Sequence, residues 1–168
     1  MNVDGQILVA GIGNIFFGDD AFGVEVIREL GKVPLPEQVH AVDFGIRSYD
    51  LAYAIMDGYA ATILVDITSR GGPPGTLYLM ELEQAKIASM EPAVPDGHSL
   101  EPVAVLRLVQ SLGGQITRLY LVGCEPAVLE TEDGKLGLSE PVQTAVTEAV
   151  EMVQRLITQL CGKPSAGV

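Results

Sequence analysis

The sequence predicts an α/β fold, a three-layer αβα sandwich around a mostly parallel, twisted sheet of roughly five strands. Three observations lead there. Short apolar runs alternate with stretches of helical periodicity along nearly the whole chain. Apolar residues make up 48% of the sequence and mean hydropathy is +0.31, the surplus that a sheet covered on both faces requires. At 168 residues the chain suits one domain with a single sizeable core, spanning 1–168 with a core at 6–160 and a frayed tail at 162–168.

Residues 7–11 read as the first strand, which runs into a glycine turn at Gly11 and Gly13. A second turn at Gly18 precedes Asp19 and Asp20. The helix that follows places Gly23, Val26, Ile27 and Leu30 on one face, and Asp19 or Asp20 can cap it. Pro34 and Pro36 mark a loop before a short second strand at 39–44. Ser48 is placed to N-cap a helix reaching Met56, which Gly58 stops.

The unbroken apolar run at 61–67 is the clearest buried strand, and it ends on Asp66. A GGPPG turn leads to a further strand at 76–82. Residues 83–97 lack pattern and read as a long loop that delivers His98 to a helix at 99–112, closed by Gly113 and Gly114. A fifth strand at 118–123 and an acidic loop through Glu132 and Asp133 precede a final helix from about Ser139 to Leu160.

A glycine-rich turn between strand and helix ordinarily favours an anion, because free N–H groups and the helix dipole point at it. Here the chain places its own carboxylates there, so the complementary visitor is a cation. If the first strand lies between the second and third, a ligand crevice opens at the carboxyl ends of the first and third strands. Asp20 follows one of those ends and Asp66 lies on the other; His98 reaches the same edge. Two carboxylates and an imidazole suit a divalent transition metal, which could polarise a carbonyl or generate hydroxide. Without metal they could serve as general base and acid.

Blander roles compete for each residue. Asp20 could simply cap a helix, and His98 could be a loop residue at a helix start. Asp66 follows an apolar strand, where an unpaired carboxylate is costly, and this favours function. His40, early in the second strand, reads as structural. Gly11 and Gly13 with Asp43 resemble the opening of a dinucleotide fingerprint. Its third glycine position falls on Phe16, however, and Asp19 and Asp20 would repel a pyrophosphate. Cys124 could in principle meet His98 as a thiol nucleophile, but no residue nearby marks it as activated, and neither GxSxG nor HExxH occurs. The formal charge of −12, from 10 Lys and Arg against 22 Asp and Glu, argues against nucleic acid and anionic membranes. No apolar run approaches the roughly 18 residues that cross a bilayer. With no basic leader at the start, a cytoplasmic protein is expected.

The runs GIGNIFFGDDAFGVEV, ILVDI, GHSLEPVAVL and LVGCEP resemble the [NiFe]-hydrogenase maturation endopeptidases. The resemblance extends over about 7–160 and is most specific in Gly11, Gly13, Asn14, Asp19, Asp20 and Gly23. It implies that Asp20, Asp66 and His98 form the metal and catalytic site. It implies removal of a C-terminal extension from the hydrogenase large-subunit precursor once nickel has been inserted. Nickel is then supplied by the substrate, other divalent metals can occupy the site, and no organic cofactor is needed. Many members carry a DGGT-type recognition loop after the second strand. Here DFGIRS keeps only Asp43 and Gly45, which implies a different hydrogenase subgroup as partner, with Arg47 available to an acidic or terminal carboxylate. Ala21 stands where glycine is common. A nickel-binding chaperone using the same ligands without cleavage is the alternative, and a NAD-type oxidoreductase a more distant one.

Overall fold

The computed structural model describes residues 5–82, 102–127 and 137–162. Among these, five strands build one sheet: β1 (Ile7–Ile12), β2 (Val39–Gly45), β3 (Ala61–Ile67), β4 (Leu77–Leu82) and β5 (Arg118–Cys124). Their order is β2-β1-β3-β5-β4. The first three pairings are parallel, and β4 runs antiparallel to β5 at the edge. Helices α1 (Phe22–Leu30), α2 (Ser48–Met56), α3 (Pro102–Ser111) and α4 (Glu140–Gly162) cover it.

The period-two alternation of the central strands divides the core into two layers. Ile7 and Val9 of β1 and Ile63 and Val65 of β3 join Phe22, Val26 and Leu30 of α1 and the apolar face of α4. Leu8, Ala10 and Ile12 of β1 and Leu64 of β3 join Leu51 and Ile55 of α2 and Val105, Leu106 and Val109 of α3. Each fully buried aliphatic side chain contributes about 1.5–3 kcal/mol of transfer free energy. That explains why β1 and β3 read as unbroken apolar runs, and why the three-layer sandwich follows from them.

Some local expectations change. Neither Asp19 nor Asp20 caps α1: a 3₁₀ turn, Gly18–Ala21, intervenes, and the N-cap position is Ala21, which makes no side-chain cap bond. Ser48 is the first residue of α2 rather than its cap, which is Arg47. The strand at Leu77–Leu82 lies at an antiparallel edge, because the short 68–76 connection cannot supply the crossover a parallel partner needs. The expected loop at 83–97, His98, the first turn of the helix at 99–101, the acidic loop through Glu132 and Asp133, and most of the tail fall outside the described residues. No helix among the described residues is long and apolar enough to cross a membrane.

Candidate active site

The site is set up where α1 begins. Gly13 has φ +149°, and a Cβ there would fall 1.8 Å from the backbone oxygen of Asp20. The turn after β1 can therefore double back beneath the acidic pair only with glycine at this position. The next close approach is at Gly23, where a Cβ would lie 2.3 Å from the carbonyl oxygens of both Ile12 and Val65. Close helix–sheet packing thus comes from Gly23, and Phe16, at the position where a dinucleotide fold would need its third glycine, is 67% exposed.

Because β1 lies between β2 and β3, the chain order reverses at the C-terminal ends of β1 and β3, as the crevice argument requires. Asp20 follows β1 and is only 8% exposed; its Oδ2 accepts the Asn14 backbone N–H at 2.9 Å. Burial pushes its carboxyl above the ordinary carboxylate value, and the Asn14 N–H partly opposes this. Asp66 is 5% exposed near the end of β3, where its Oδ1 accepts the Ile67 N–H at 2.7 Å. Gly11 of β1 is in register with Val65, the residue before Asp66. The two acids therefore belong to the same edge of adjacent strands. His98 lies outside the described residues, and among the described residues no group of three His, Cys, Asp or Glu side chains is arranged to hold a metal ion.

The end of β2 is fastened to this turn. Gly13 donates its N–H to the Gly45 carbonyl at 2.9 Å, and Gly45 donates to Asp43 Oδ1 at 2.8 Å. Arg47 folds over its own turn: Nε donates to the Phe44 carbonyl at 3.1 Å, Nη2 to the Asp43 carbonyl, and Nη1 to Asp50 Oδ2 at 3.4 Å. Its guanidinium also sits 5.9 Å from the Phe44 ring centre. Asp43, Gly45 and Arg47 are thus brought beside the Asp20 turn, with Ile15, Phe16, Ile46 and Tyr49 exposed around them.

Two further buried acids have partners that the sequence does not reveal. Asp19 points inward and accepts bonds from Ala127 and Ser139. Glu125, in the LVGCEP run just past β5, accepts the Arg70 N–H at 2.8 Å, the Gly71 N–H at 3.0 Å and the Tyr78 hydroxyl at 3.0 Å. Those donors hold its carboxyl below the ordinary value despite burial, with the Arg70 N–H contributing most. The one signal for Glu125 in the sequence is an acid directly after an apolar strand. Cys124 is buried, and burial, with Asp19 and Glu125 nearby, raises its thiol pKa to about 12. It is a core thiol and stays protonated at neutral pH.

The mostly parallel α/β sheet carries buried carboxylates at its switch point and an inert cysteine nearby, the layout of an α/β enzyme. A family model for the hydrogenase maturation proteases, HycI, matches residues 24–156, and the chain belongs to that family. The hydrogenase 2 maturation protease of Escherichia coli is 30% identical over 149 residues, covering 88% of each chain. The solved structure of the hydrogenase maturating endopeptidase HybD from E. coli superposes with a TM-score of 0.76 at 28% identity, covering 92% of this chain and 93% of that one. A hydrogenase 2 maturation peptidase from a Thaumarchaeota archaeon gives 0.68 at 31% identity, covering 90% and 97%. The protein is accordingly a hydrogenase maturation endopeptidase, acting in C-terminal processing of the large subunit, and the non-cleaving chaperone is not favoured.

Proposed function

We propose that this endopeptidase reads nickel in its substrate, the nickel-loaded precursor of a [NiFe]-hydrogenase large subunit. The observation that carries the reading is the pair of buried carboxylates, Asp20 in the turn that follows β1 and Asp66 near the end of the adjacent parallel strand β3. Buried like charges are costly, and a cation arriving with the substrate would relieve both. His98 is the third donor in this reading.

The reaction adds water across the scissile amide. A carboxylate takes a proton from water as its oxygen attacks the carbonyl carbon. The C–N bond then breaks and the proton passes to the departing amine, leaving a new carboxylate and a free amine terminus. Positive charge beside the carbonyl stabilises the oxyanion that forms on the way. Asp43, Gly45 and Arg47 form the recognition edge, supported by their attachment to the Gly13 turn. The strongly acidic surface fits a soluble partner in the cytoplasm better than nucleic acid or an anionic membrane.

Intact-mass measurement on nickel-loaded and nickel-free precursor tests the reading. The extension is lost only from the loaded precursor, and Asp66→Asn, which preserves shape and removes charge, abolishes that loss. Equal cleavage of both precursors would remove nickel from the mechanism, and wild-type cleavage by Asp66→Asn would remove Asp66 from the site.

A further inference from the structure

We propose that Asp19 is the positioning residue of this site: its buried carboxylate locks the turn that presents Asp20 to the loop after β5 and to the start of α4. This rests on the proposed role of Asp20. Asp19 is 0% exposed, although it adjoins an acid at the sheet edge. Its Oδ1 accepts the Ser139 N–H at 2.7 Å, while Oδ2 accepts the Ala127 N–H at 2.8 Å and the Ser139 hydroxyl at 2.9 Å. These partners lie 108 and 120 residues away in sequence, so one carboxylate joins three separate parts of the chain. Charge-assisted bonds of this kind are short and strong.

The Gly18–Ala21 turn is buried and also tied locally, by the Asn14 N–H on Asp20 Oδ2 and by close packing of the Asp20 backbone on Gly13, whereas Asp19 ties it to distant parts of the chain. Gly18 adopts φ +52°, and the Asp20 N–H donates to the Phe17 carbonyl at 3.0 Å, a bond that closes the turn without orienting it against the sheet. Asp19 supplies that orientation from beneath. Asp19 and Asp20 are adjacent in this one turn, so fixing the first constrains the backbone that carries the second. Asp19 is removed from solvent and acts through the placement of Asp20.

The geometry makes Asp19→Asn a sharp probe. Both carboxylate oxygens accept from backbone N–H groups, and a backbone N–H cannot become an acceptor. Whichever way the substituted amide is turned, its NH₂ faces one of those donors. Ser139→Ala is gentler, since it removes the hydroxyl bond and leaves the Ser139 backbone bond in place.

The experiment measures kcat and KM for processing of nickel-loaded precursor by the full-length protein, normalised to the folded fraction from circular dichroism. Asp19→Asn lowers kcat about 10–100-fold, the range typical of a lost support for a site ligand, with KM changed by less than about twofold. Ser139→Ala lowers kcat in the same sense by a smaller factor, since the Ser139 backbone bond to Asp19 remains. Should Asp19→Asn fail to fold, Ser139→Ala decides: a drop in its kcat supports the proposal and a wild-type kcat overturns it. A kcat loss in either variant that vanishes on normalisation to folded protein also overturns it, because it assigns Asp19 to stability alone. Asp20→Asn is run in parallel. If it abolishes processing while the Asp19 and Ser139 variants are normal, only the positioning role falls; if it is itself fully active, the site reading falls first.

Discussion

A Cβ on Gly23 would lie 2.3 Å from the carbonyl oxygen of Val65, the residue immediately before Asp66. The missing side chain therefore sets how closely the start of α1, and with it the Asp20 turn, approaches the end of β3. Gly23→Ala must push α1 off two strands at once, since the Ile12 carbonyl is equally close. A loss of about 3 kcal/mol in urea unfolding is expected, at the upper end for overpacking. A loss under about 1 kcal/mol would show that the helix shifts freely and that this contact sets nothing.

Asp20→Asn separates function from stability. Burial raises the Asp20 carboxyl in the folded protein, so the folded state binds that proton more tightly than the unfolded chain does. The sign follows: this group's contribution falls as pH rises from the ordinary value of 3.8 through the raised one, and the full penalty is present at neutral pH. Asparagine keeps an acceptor for the Asn14 N–H and removes the charge. The variant is more stable than wild type at pH 7 while losing processing, and the gain fades as the pH is lowered to the ordinary carboxylate value. Melting curves across pH check this, and a variant less stable than wild type at pH 7 contradicts it.

The parts of this molecule legible in its sequence are those governed by local pattern. The runs at β1, β3 and β5 are apolar because both faces of the sheet are covered, and the periodicity of α1 and α4 follows their buried faces. Asp20 and Asp66 stand out because carboxylates beside such runs are expensive unless they have a use. What cannot be read depends on distant partners. Asp19 reads as a helix cap, since nothing near it in sequence announces Ala127 and Ser139 as its donors. Glu125 is hidden for the same reason: its donors come from the turn after β3. The direction of β4 is equally silent, because one strand's alternation does not encode its neighbour.

Glu125 carries a pH dependence of the opposite sign to Asp20. Its donors hold the folded carboxyl below the ordinary value of 4.5, so its stabilisation is present above that value and is lost as pH falls through the folded one. Glu125→Gln leaves one of the Arg70 and Gly71 donors facing an NH₂ group. The variant melts earlier at pH 7, and its melting temperature falls less than that of wild type on acidification below 4.5. Parallel melting curves for the two proteins across that range would contradict the assignment.

Thiol chemistry gives a direct check on Cys124. With its pKa at about 12 and its side chain buried, it resists alkylation at pH 8, whereas exposed Cys161 reacts. Mass spectrometry after iodoacetamide should show one label on the native protein and two after denaturation. Processing survives the native treatment. Loss of processing in step with a label on Cys124 would restore the thiol to the mechanism.

The parallel pairing of β1 with β3 has a consequence for when this protein becomes competent. Ile7 meets Ala61 across an intervening helix, strand and helix, so the sheet edge that carries Asp20 and Asp66 closes only after a long stretch of chain has been ordered. Non-local parallel contacts of this sort form late, because their loop-closure entropy must be met before they return anything. Before that moment the two acids are remote from one another and offer a metal only separate, weak, hydrated carboxylates. A growing or half-folded chain therefore lacks the paired acids, and the buried edge that brings Asp20 and Asp66 together arises only in the finished protein.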